Sequence, residues 1–264
     1  MSEAASVAII IPCYRQARFL RRAIESAMAQ TIDAAEIIVV DDGSPDDPER
    51  VTARFPRVQL VRRANGGPGA ARNSGVAAAA SEKVIFLDAD DRLLPGAVAA
   101  GLACFAENPD AAFVYGGFRH VRWLREGDYL RQARSRCDLI RNNWVGMIAT
   151  VMFDRAKLLK VGGFDEGMRI CEDWDLFLRL SRQFPFAVHE EIVATYVRHR
   201  GNITNDRSKV LSWIEVARAK ERERGLSQEE AKAWDEGAAV VAAAYPTASQ
   251  RVKNLLRRLR GRRP

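Results

Sequence analysis

The sequence predicts an α/β fold with a central, mostly parallel twisted sheet and helices on both faces. Short apolar runs alternate with stretches of helical periodicity through the first third of the chain. A succession of strand, helix and strand implies parallel pairing with right-handed crossovers. Acidic residues follow two of the apolar runs, and ligands of such sheets collect at the carboxyl ends of the strands. A chain of 264 residues is long enough for one large domain with a small appendage.

The first strand is predicted at Val7 to Ile11, a continuous apolar run that Pro12 closes. Apolar residues then recur at helical spacing from Leu20 to Met28, which predicts the first helix. Further strands are predicted at 36–40, 58–61 and 84–87, with an alanine-rich helix over 70–80.

The second half of the chain has longer and more mixed patterns. They predict strands at 113–123, 148–153 and 191–199 and a helix over 172–184. From Asn205 onward the pattern is helical and charged, with Trp213 and Trp234 as hydrophobic anchors. We therefore predict one domain over residues 1–204, a helical extension packed on it over 205–250, and a basic tail over 251–264.

The positive charge of the chain belongs to its tail. The net charge is +7, and residues 251–264 contain seven basic residues and no acidic one. Four apolar residues of this tail, from Val252 to Leu259, share one helical face, which predicts peripheral contact with an anionic membrane surface. A solvated tail and a nucleic-acid contact are the alternatives. The body of the chain is near neutral, so no nucleic-acid partner is expected.

Other features bear on the cellular compartment. No apolar run reaches the length of a membrane span, and the N-terminus lacks a signal-peptide pattern. The four cysteines are scattered without CxxC spacing, which favours free thiols over a zinc site or a disulfide framework. We expect a cytoplasmic protein that can lie at the inner face of a membrane through its tail.

Three carboxylates, those of Asp88, Asp90 and Asp91, follow the predicted strand at 84–87. Alternation along an extended chain points Asp88 and Asp90 the same way, so both can reach one ion. Oxygen ligands at the mouth of a sheet suit a hard divalent cation, Mg²⁺ or Mn²⁺. A helix start is the alternative, but capping needs one acid and this site has three.

Several motifs follow one another in order along residues 6–204. They are Ile-Ile-Pro12-Cys-Tyr14, Asp41-Asp42-Gly-Ser44, the segment 65–75, Leu87-Asp88-Ala-Asp90-Asp91, Gly162-Gly-Phe164-Asp165 and Glu172-Asp173-Trp-Asp175. This string resembles the family 2 glycosyltransferases, which have the GT-A fold. The resemblance implies transfer of a sugar from a nucleotide-sugar donor to a glycan or lipid-linked acceptor, as in polysaccharide biosynthesis. It also implies inversion at the sugar and a Mn²⁺ or Mg²⁺ cofactor.

The resemblance places the nucleotide against Pro12, Tyr14, Asp42, Arg72 and Asp88. The ring of Tyr14 would stack on the base, and Asp42 would accept the imide N–H of uracil or thymine. Arg72 would lie near the base, and Asp88 would contact the ribose. The ordinary alternatives are a rim aromatic for Tyr14, a turn for Asp42 and a solvated helix charge for Arg72.

The resemblance also assigns the metal and the catalytic carboxylates. Asp90 would hold a metal that bridges both phosphates, with Asp91 as the alternative ligand. His199 would complete the coordination or contact the diphosphate, and a surface histidine is its alternative. Asp173 would act as the general base, with Glu172 orienting it or the acceptor.

The pair Glu172 and Asp173 lies at the start of a predicted helix, where acids are also favoured simply by the helix dipole. That position is expected to lower the pKa of Asp173 and keep it ionised at neutral pH. Trp174 is expected in the core rather than on a sugar ring.

Two other functions compete with a transferase that uses a UDP-sugar or, with the same contacts, a TDP-sugar. A sugar-phosphate nucleotidyltransferase would need a glycine-rich N-terminal loop, whereas the first strand here runs into Pro12-Cys-Tyr14. A non-catalytic nucleotide- or membrane-binding module on a degenerate GT-A scaffold would not need the acids Asp88, Asp90 and Asp173. Both alternatives are therefore weaker.

Overall fold

The computed structural model describes residues 5–122, 125–130, 133–199 and 201–244. Its strands are β1 (Ala5–Cys13), β2 (Ala34–Asp41), β3 (Val58–Arg62), β4 (Lys83–Phe86), β5 (Arg92–Leu93), β6 (Phe113–Arg122), β7 (Arg125–Tyr129), β8 (Val151–Asp154) and β9 (Phe186–Val197). Its α-helices are α1 (Ala17–Met28), α2 (Pro48–Thr52), α3 (Pro68–Ala78), α4 (Ala97–Glu107), α5 (Arg136–Arg141), α6 (Arg155–Lys160), α7 (Glu172–Gln183), α8 (Arg207–Glu223) and α9 (Gln228–Ala244). Two 3₁₀ turns lie at Ile148–Thr150 and Ile203–Asn205.

The described strands form one mixed sheet in the order β3-β2-β1-β4-β8-β6-β9-β5, and β7 pairs with β6. Strands β1 to β4 are mutually parallel, and β6 is parallel to β9. Strand β8 is antiparallel to both β4 and β6, so β6 and β9 run in the same direction as β1 to β4. Only β5, β7 and β8, among the strands described, run in the opposite direction. The predicted α/β fold with a mostly parallel sheet is confirmed.

Strand β1 explains why its sequence is apolar without alternation. Every residue from Val7 to Ile11 is fully buried, because helices cover both faces of the sheet. The odd-numbered residues of this run pack in one cluster with Leu20 of α1 and Val98 of α4. The even-numbered residues pack in another with Val76 of α3 and Leu176 of α7. The two hydrophobic clusters therefore lie on opposite faces of the central strands.

The predicted strands at 7–11, 36–40, 58–61 and 84–87 correspond to β1 to β4, and the predicted helices to α1, α3 and α7. In the second half, β9 begins at Phe186, earlier than predicted, and the predicted strand at 148–153 is divided between a 3₁₀ turn and β8. Helix α4 was not predicted, because its alanine-rich, largely apolar sequence gives a weak amphipathic signal.

The C-terminal helices α8 and α9 pack on the face of the sheet that carries α5 and α7. Val210 and Ile214 of α8 are buried in the same cluster as Leu176, and Trp213 and Trp234 pack against it as predicted. The predicted boundary at residue 204 stays a prediction. The predicted amphipathic tail, residues 251–264, lies outside the described residues.

No helix among the described residues is both long enough and apolar enough to cross a bilayer. The four cysteine thiols are free: those of Cys13 and Cys104 are buried, and those of Cys137 and Cys171 are partly exposed.

A buried ionic network attaches α8 to α7. Asp175 of α7 is fully buried and accepts hydrogen bonds from Arg179 Nε at 2.8 Å and from Nη2 of Arg224, the residue that follows α8, at 2.6 Å. Glu221 of α8, also buried, accepts from Arg182 Nη2 of α7 at 2.5 Å. Since α7 begins with Glu172, this network holds in place the helix on which the predicted catalytic acids lie.

Asp175→Asn should therefore lower the free energy of unfolding strongly. The substitution removes the charge of a fully buried carboxylate from two partly buried guanidinium groups, and breaking one partner of a buried pair costs about 3–5 kcal/mol. The measurement is the urea midpoint and slope of both proteins. The matched control is Glu236→Gln, which removes an exposed partner of Arg141 and should leave the urea midpoint nearly unchanged, because solvent screens exposed ion pairs. A loss at Asp175 no larger than that of the control would contradict the assigned role.

Candidate active site

A cavity of about 710 Å³ opens where β1, β2 and β4 end, with the start of α7 on its far side. Nine predicted site residues line this cavity: Pro12, Tyr14, Asp42, Arg72, Asp88, Asp90, Asp91, Glu172 and Asp173. His199 contacts the side chain of Asp90. The structure thus brings together residues that are far apart in sequence, as the ends of parallel strands require.

Asp42 follows β2 and is almost completely buried. Its Oδ1 accepts the backbone N–H of Gly66 at 2.9 Å, and its Oδ2 accepts that of Gly67 at 2.8 Å. Asn65 Nδ2 also donates to Oδ2, at 3.1 Å. The carboxylate therefore fixes the glycine-rich loop that leads into α3.

The backbone conformation at Gly67, the last residue before α3, favours glycine. Its φ of +92° lies in the left-handed region, which residues with a Cβ rarely adopt. A Cβ there would also lie 2.0 Å from Arg169 Nη1, and that nitrogen donates to the carbonyl of Gly66 at 2.6 Å. Arg169 lines the cavity and was missed from the sequence, because no local pattern marks a contact across a hundred positions.

Tyr14 lies at the rim of the cavity, just beyond β1, and its side chain is 42% exposed. The guanidinium of Arg15 lies 5.4 Å from the centroid of the ring. The ring of Tyr14, with this exposure, is available for stacking on a planar ligand.

Asp41, the last residue of β2, accepts the backbone N–H of Ser44 at 2.8 Å and stabilises the turn that follows β2.

Arg72 of α3 is buried and connects the two sides of the cavity. Its Nη2 donates to Asp88 Oδ1 at 2.7 Å and its Nη1 to Glu172 Oε1 at 2.5 Å. Burial lowers the pKa of the guanidinium, but the charges of Asp88 and Glu172 outweigh burial and raise that pKa above its ordinary value. Arg72 is thus a permanent cation between two carboxylates and not a solvated helix charge.

Asp90 and His199 form a close pair. Asp90 Oδ2 lies 2.8 Å from His199 Nε2, and the backbone N–H of Gly201 donates to His199 Nδ1 at 3.0 Å. A neutral imidazole that accepts at Nδ1 carries its proton on Nε2. The pKa of Asp90 is raised by burial and by the charge of Asp88, while the contact with His199 opposes that rise. His199 is therefore a partner of the acidic cluster and not a solvated surface residue.

Asp91 has a different environment. Its side chain is buried, and Oδ1 accepts the backbone N–H of Val197, the last residue of β9, at 2.9 Å. Burial and the charges of Asp88 and Asp90 raise the pKa of Asp91 well above its ordinary value. This hydrogen bond attaches the turn formed by residues 88–91 to the end of β9, two residues before His199.

The donor set fits a divalent cation held jointly by protein and substrate. No three His, Cys, Asp or Glu side chains within the described ranges form a ready-made metal site. Mg²⁺ at nucleotide sites is usually bound by only one or two carboxylates, with the remaining ligands from phosphates and water. Asp90 offers a carboxylate, and the repulsion between Asp88 and Asp90 favours a cation there. Both ring nitrogens of His199 already have partners, Asp90 and the backbone N–H of Gly201, so His199 supports the Asp90 carboxylate in this arrangement.

Helix α7 presents its first two side chains to the cavity. The residue before it, Cys171, has a left-handed φ of 63°. Glu172 is buried against Arg72, and Asp173 Oδ1 accepts the backbone N–H of Trp174 at 2.7 Å. Trp174 itself is buried, with its Nε1 donating to the carbonyl of Leu139 at 2.8 Å, so its predicted place in the core is confirmed.

The expectation that the helix start lowers the pKa of Asp173 was wrong. Burial is the largest influence, and with the charge of Glu172 it raises the pKa of Asp173 to about 7. Arg72 and the N–H of Trp174 oppose this rise without cancelling it. The cost of desolvating the charged carboxylate of Asp173 exceeds its stabilisation by the helix dipole. Asp173 is thus a carboxyl group that titrates near neutrality, as suits a group that exchanges protons with a ligand.

Comparison with known proteins gives a consistent result. The model of the family described as "Glycosyl transferase family 2" matches residues 8–171. Chondroitin synthase of Escherichia coli is 32% identical over 203 residues, which cover 74% of this chain and 29% of that protein. The chain spans less than a third of the length of the first curated relatives it matches.

Two solved structures share the fold. The crystal structure of S. aureus TarS residues 1–349 in complex with UDP-GlcNAc gives a TM-score of 0.68 at 16% identity, covering 91% of this chain and 81% of that one. The mannosyltransferase PcManGT from Pyrobaculum calidifontis, in complex with GDP-Man and Mn²⁺, gives 0.69 at 16% identity, covering 97% and 80%. These similarities establish the GT-A-like fold, as predicted.

Proposed function

This chain belongs to glycosyl transferase family 2 and is a glycosyltransferase, and from that premise we propose that it transfers a sugar from a UDP-sugar to an acceptor hydroxyl with inversion. One observation carries the proposal: Arg72 joins Asp88, at the end of β4, to Glu172, beside Asp173, in one cavity. Arg72 thereby fixes the position of Asp88, on the donor side, relative to Glu172, on the acceptor side. The acceptor is a glycan or a lipid-linked sugar.

The nucleotide occupies the part of the cavity near β1 and β2. The exposed ring of Tyr14 stacks on the base beside Pro12, and Asp42 meets the imide N–H of uracil. Oδ2 of Asp42 already accepts two hydrogen bonds, from Gly67 and Asn65, whereas Oδ1 accepts one, from Gly66. A carboxylate oxygen has two lone pairs, so Oδ1 keeps one acceptor position for the base. Asp88 contacts the ribose, and Arg72 positions Asp88.

Asp90 would hold Mn²⁺ or Mg²⁺, and His199, which contacts the Asp90 carboxylate through Nε2, would lie beside the diphosphate. When bound, the metal supplies a Lewis acid that stabilises the charge developing on the departing nucleoside diphosphate. We assign Asp91 to a positioning role because its Oδ1 already binds the backbone of Val197. Asp91 thereby holds the end of β9 and the segment that carries His199.

Asp173 takes the proton of the acceptor hydroxyl as that oxygen attacks the anomeric carbon from the face opposite the leaving group. The new C–O bond forms, the bond to the diphosphate breaks, and the proton goes to the carboxylate of Asp173. Glu172, fixed by Arg72 at 2.5 Å, lies beside Asp173 and contributes to the raised pKa of that base.

The pH dependence of transfer should report the ionisation of Asp173. A general base acts in its ionised form, and the pKa of Asp173 is raised to about 7. We expect kcat/KM to fall about tenfold per pH unit below this value and to level off above it. Initial rates measured from about pH 5.5 to about 8.5 at constant ionic strength test this. The dissociation constant of UDP, measured over the same range, separates a binding effect from a catalytic one; a flat rate profile would contradict the assignment.

The experiment that tests the proposed function is calorimetric titration of the purified chain with UDP, TDP, GDP and CDP, each with Mn²⁺ and with a chelator. We expect UDP to bind with Mn²⁺ and to bind more weakly, by at least about tenfold, with the chelator. Binding of a different nucleotide would correct the identity of the base. Failure of all four to bind would overturn the proposal of a nucleotide-sugar donor.

A further inference from the structure

Four ring side chains form an aromatic face on the part of the sheet made by β6, β7 and β9. They are Phe118, His120, Tyr129 and Tyr196. Phe118 of β6 lies opposite Tyr129 of β7, and His120 lies opposite Tyr196 of β9. Residues directly opposite each other, and residues two apart on one strand, share a face of the sheet. The four rings therefore lie side by side.

Tyr129 is the most accessible ring of this aromatic face. It stacks on Phe118 with 5.4 Å between centroids and 11° between planes, yet 41% of its surface is exposed. Phe118 packs on one side of the ring, and His120 contacts the ring edge-on with 5.9 Å between centroids. Gly127, opposite His120, has no side chain and therefore leaves the ring of Tyr129 uncovered. A Cβ at position 127 would lie 3.9 Å from Tyr129 Cε2, at van der Waals contact with the ring.

The aromatic face is continuous with the cavity. Tyr196 lines the cavity, and its hydroxyl lies 2.8 Å from Thr204 Oγ1, another cavity-lining group. Gly146 also lines the cavity, and a Cβ on it would lie 3.3 Å from the ring of Phe118. A chain molecule with one end in the cavity can therefore extend over the rings without leaving the protein surface.

We propose that the aromatic face binds the acceptor glycan, at sugars beyond the one that accepts the transfer; this inference rests on the proposed function. A pyranose ring has an apolar C–H surface edged by hydroxyl groups. Tyr129, His120 and Tyr196 each combine an apolar ring with a polar atom at its edge, the complementary arrangement. Four side chains are far fewer than the roughly 20–30 residues per partner of a stable protein interface. A glycan is therefore the occupant that fits the size and the chemistry.

The first measurement is binding of the fluorescently labelled chain to an array of oligosaccharides of two to eight sugars, in the presence of UDP and Mn²⁺. We expect retention to increase with glycan length up to the span of the face. Retention of no glycan by a protein that binds UDP would overturn this inference and leave the proposed function intact. Loss of UDP binding itself would instead count against the proposed function.

Variants then test the rings with the best-retained oligosaccharide. Tyr129→Ala should raise the acceptor KM by about tenfold, the worth of one aromatic contact, with the UDP affinity unchanged. Gly127→Leu, which covers the ring without removing it, should raise the KM similarly, and Tyr129→Phe should restore most of the lost affinity. Leu159→Ala, on α6, removes an exposed apolar side chain outside the face and serves as the matched control.

Two outcomes would contradict the aromatic face as a glycan site. One is an unchanged acceptor KM in both Tyr129→Ala and Gly127→Leu. The other is a wild-type dimer in sedimentation equilibrium that Tyr129→Ala converts to a monomer, because the occupant would then be a second copy of this chain.

Discussion

Asp173→Asn should bind UDP and Mn²⁺ like the parent chain and lose nearly all transfer. The amide has the same shape as the carboxylate, and its oxygen can still accept the N–H of Trp174, so the start of α7 should keep its geometry. An amide does not accept the proton of the attacking hydroxyl. The loss of a general base typically costs about 10²–10⁴-fold in rate. The measurement is kcat in a transfer assay together with calorimetric binding of UDP.

The control for this prediction is Glu190→Gln, which removes an exposed carboxylate of β9 and should leave kcat unchanged. Near-normal turnover by Asp173→Asn would show that another group takes the proton. Glu172 would then be the first candidate, since it lies in the same cavity and contacts Arg72.

Asp90→Ala should remove the metal dependence of nucleotide binding. The substitution takes away the carboxylate that lies 2.8 Å from His199 Nε2, and an imidazole alone holds Mn²⁺ or Mg²⁺ poorly. Disturbing even an outer-shell partner of a metal site typically costs about 10–100-fold in affinity, so loss of a direct ligand should cost at least that much. We expect the UDP affinity with Mn²⁺ to fall to the value measured with chelator. Calorimetry of both proteins, with and without Mn²⁺, provides this comparison.

Asp91→Asn is the matched control, because it tests the neighbouring acid of the same cluster. Asparagine retains an oxygen to accept the N–H of Val197, so the end of β9 should stay in place and Mn²⁺ should still strengthen UDP binding. The opposite pattern, with metal dependence lost in Asp91→Asn and kept in Asp90→Ala, would reverse the roles of the two acids.

Much of this site was accessible from sequence because short-range chemistry determines it. Continuous apolar runs such as Val7 to Ile11 indicate strands covered on both faces, and strands joined by helices indicate parallel pairing. Polar residues that directly follow such strands, Asp42 and Asp88 among them, then have to meet at one edge of the sheet. Family motifs added the roles that remain proposed, since similar folds carry many functions.

Other features depended on contacts that no local pattern encodes. The sequence left Arg72 open between a residue near the base and a solvated helix charge, and in the structure it is buried between Asp88 and Glu172, the latter a hundred positions away. The pKa of Asp173 also depends on distant residues. Its position at the start of a helix is a local feature, but burial by the surrounding chain decides the direction of the pKa shift. The separate environments of Asp90 and Asp91 likewise depend on where β9 ends.

The sequence by itself determined the α/β class, the first four strands and the residues that gather at the cavity, because periodicity and strand ends are properties of neighbouring residues. Only the tertiary structure decided which way β8 runs, which partners Arg72 binds, and that Phe118, Tyr129 and Tyr196 share one face. Those features follow from strand register and close packing between distant segments. A one-residue shift in register would turn each ring to the opposite side of the sheet.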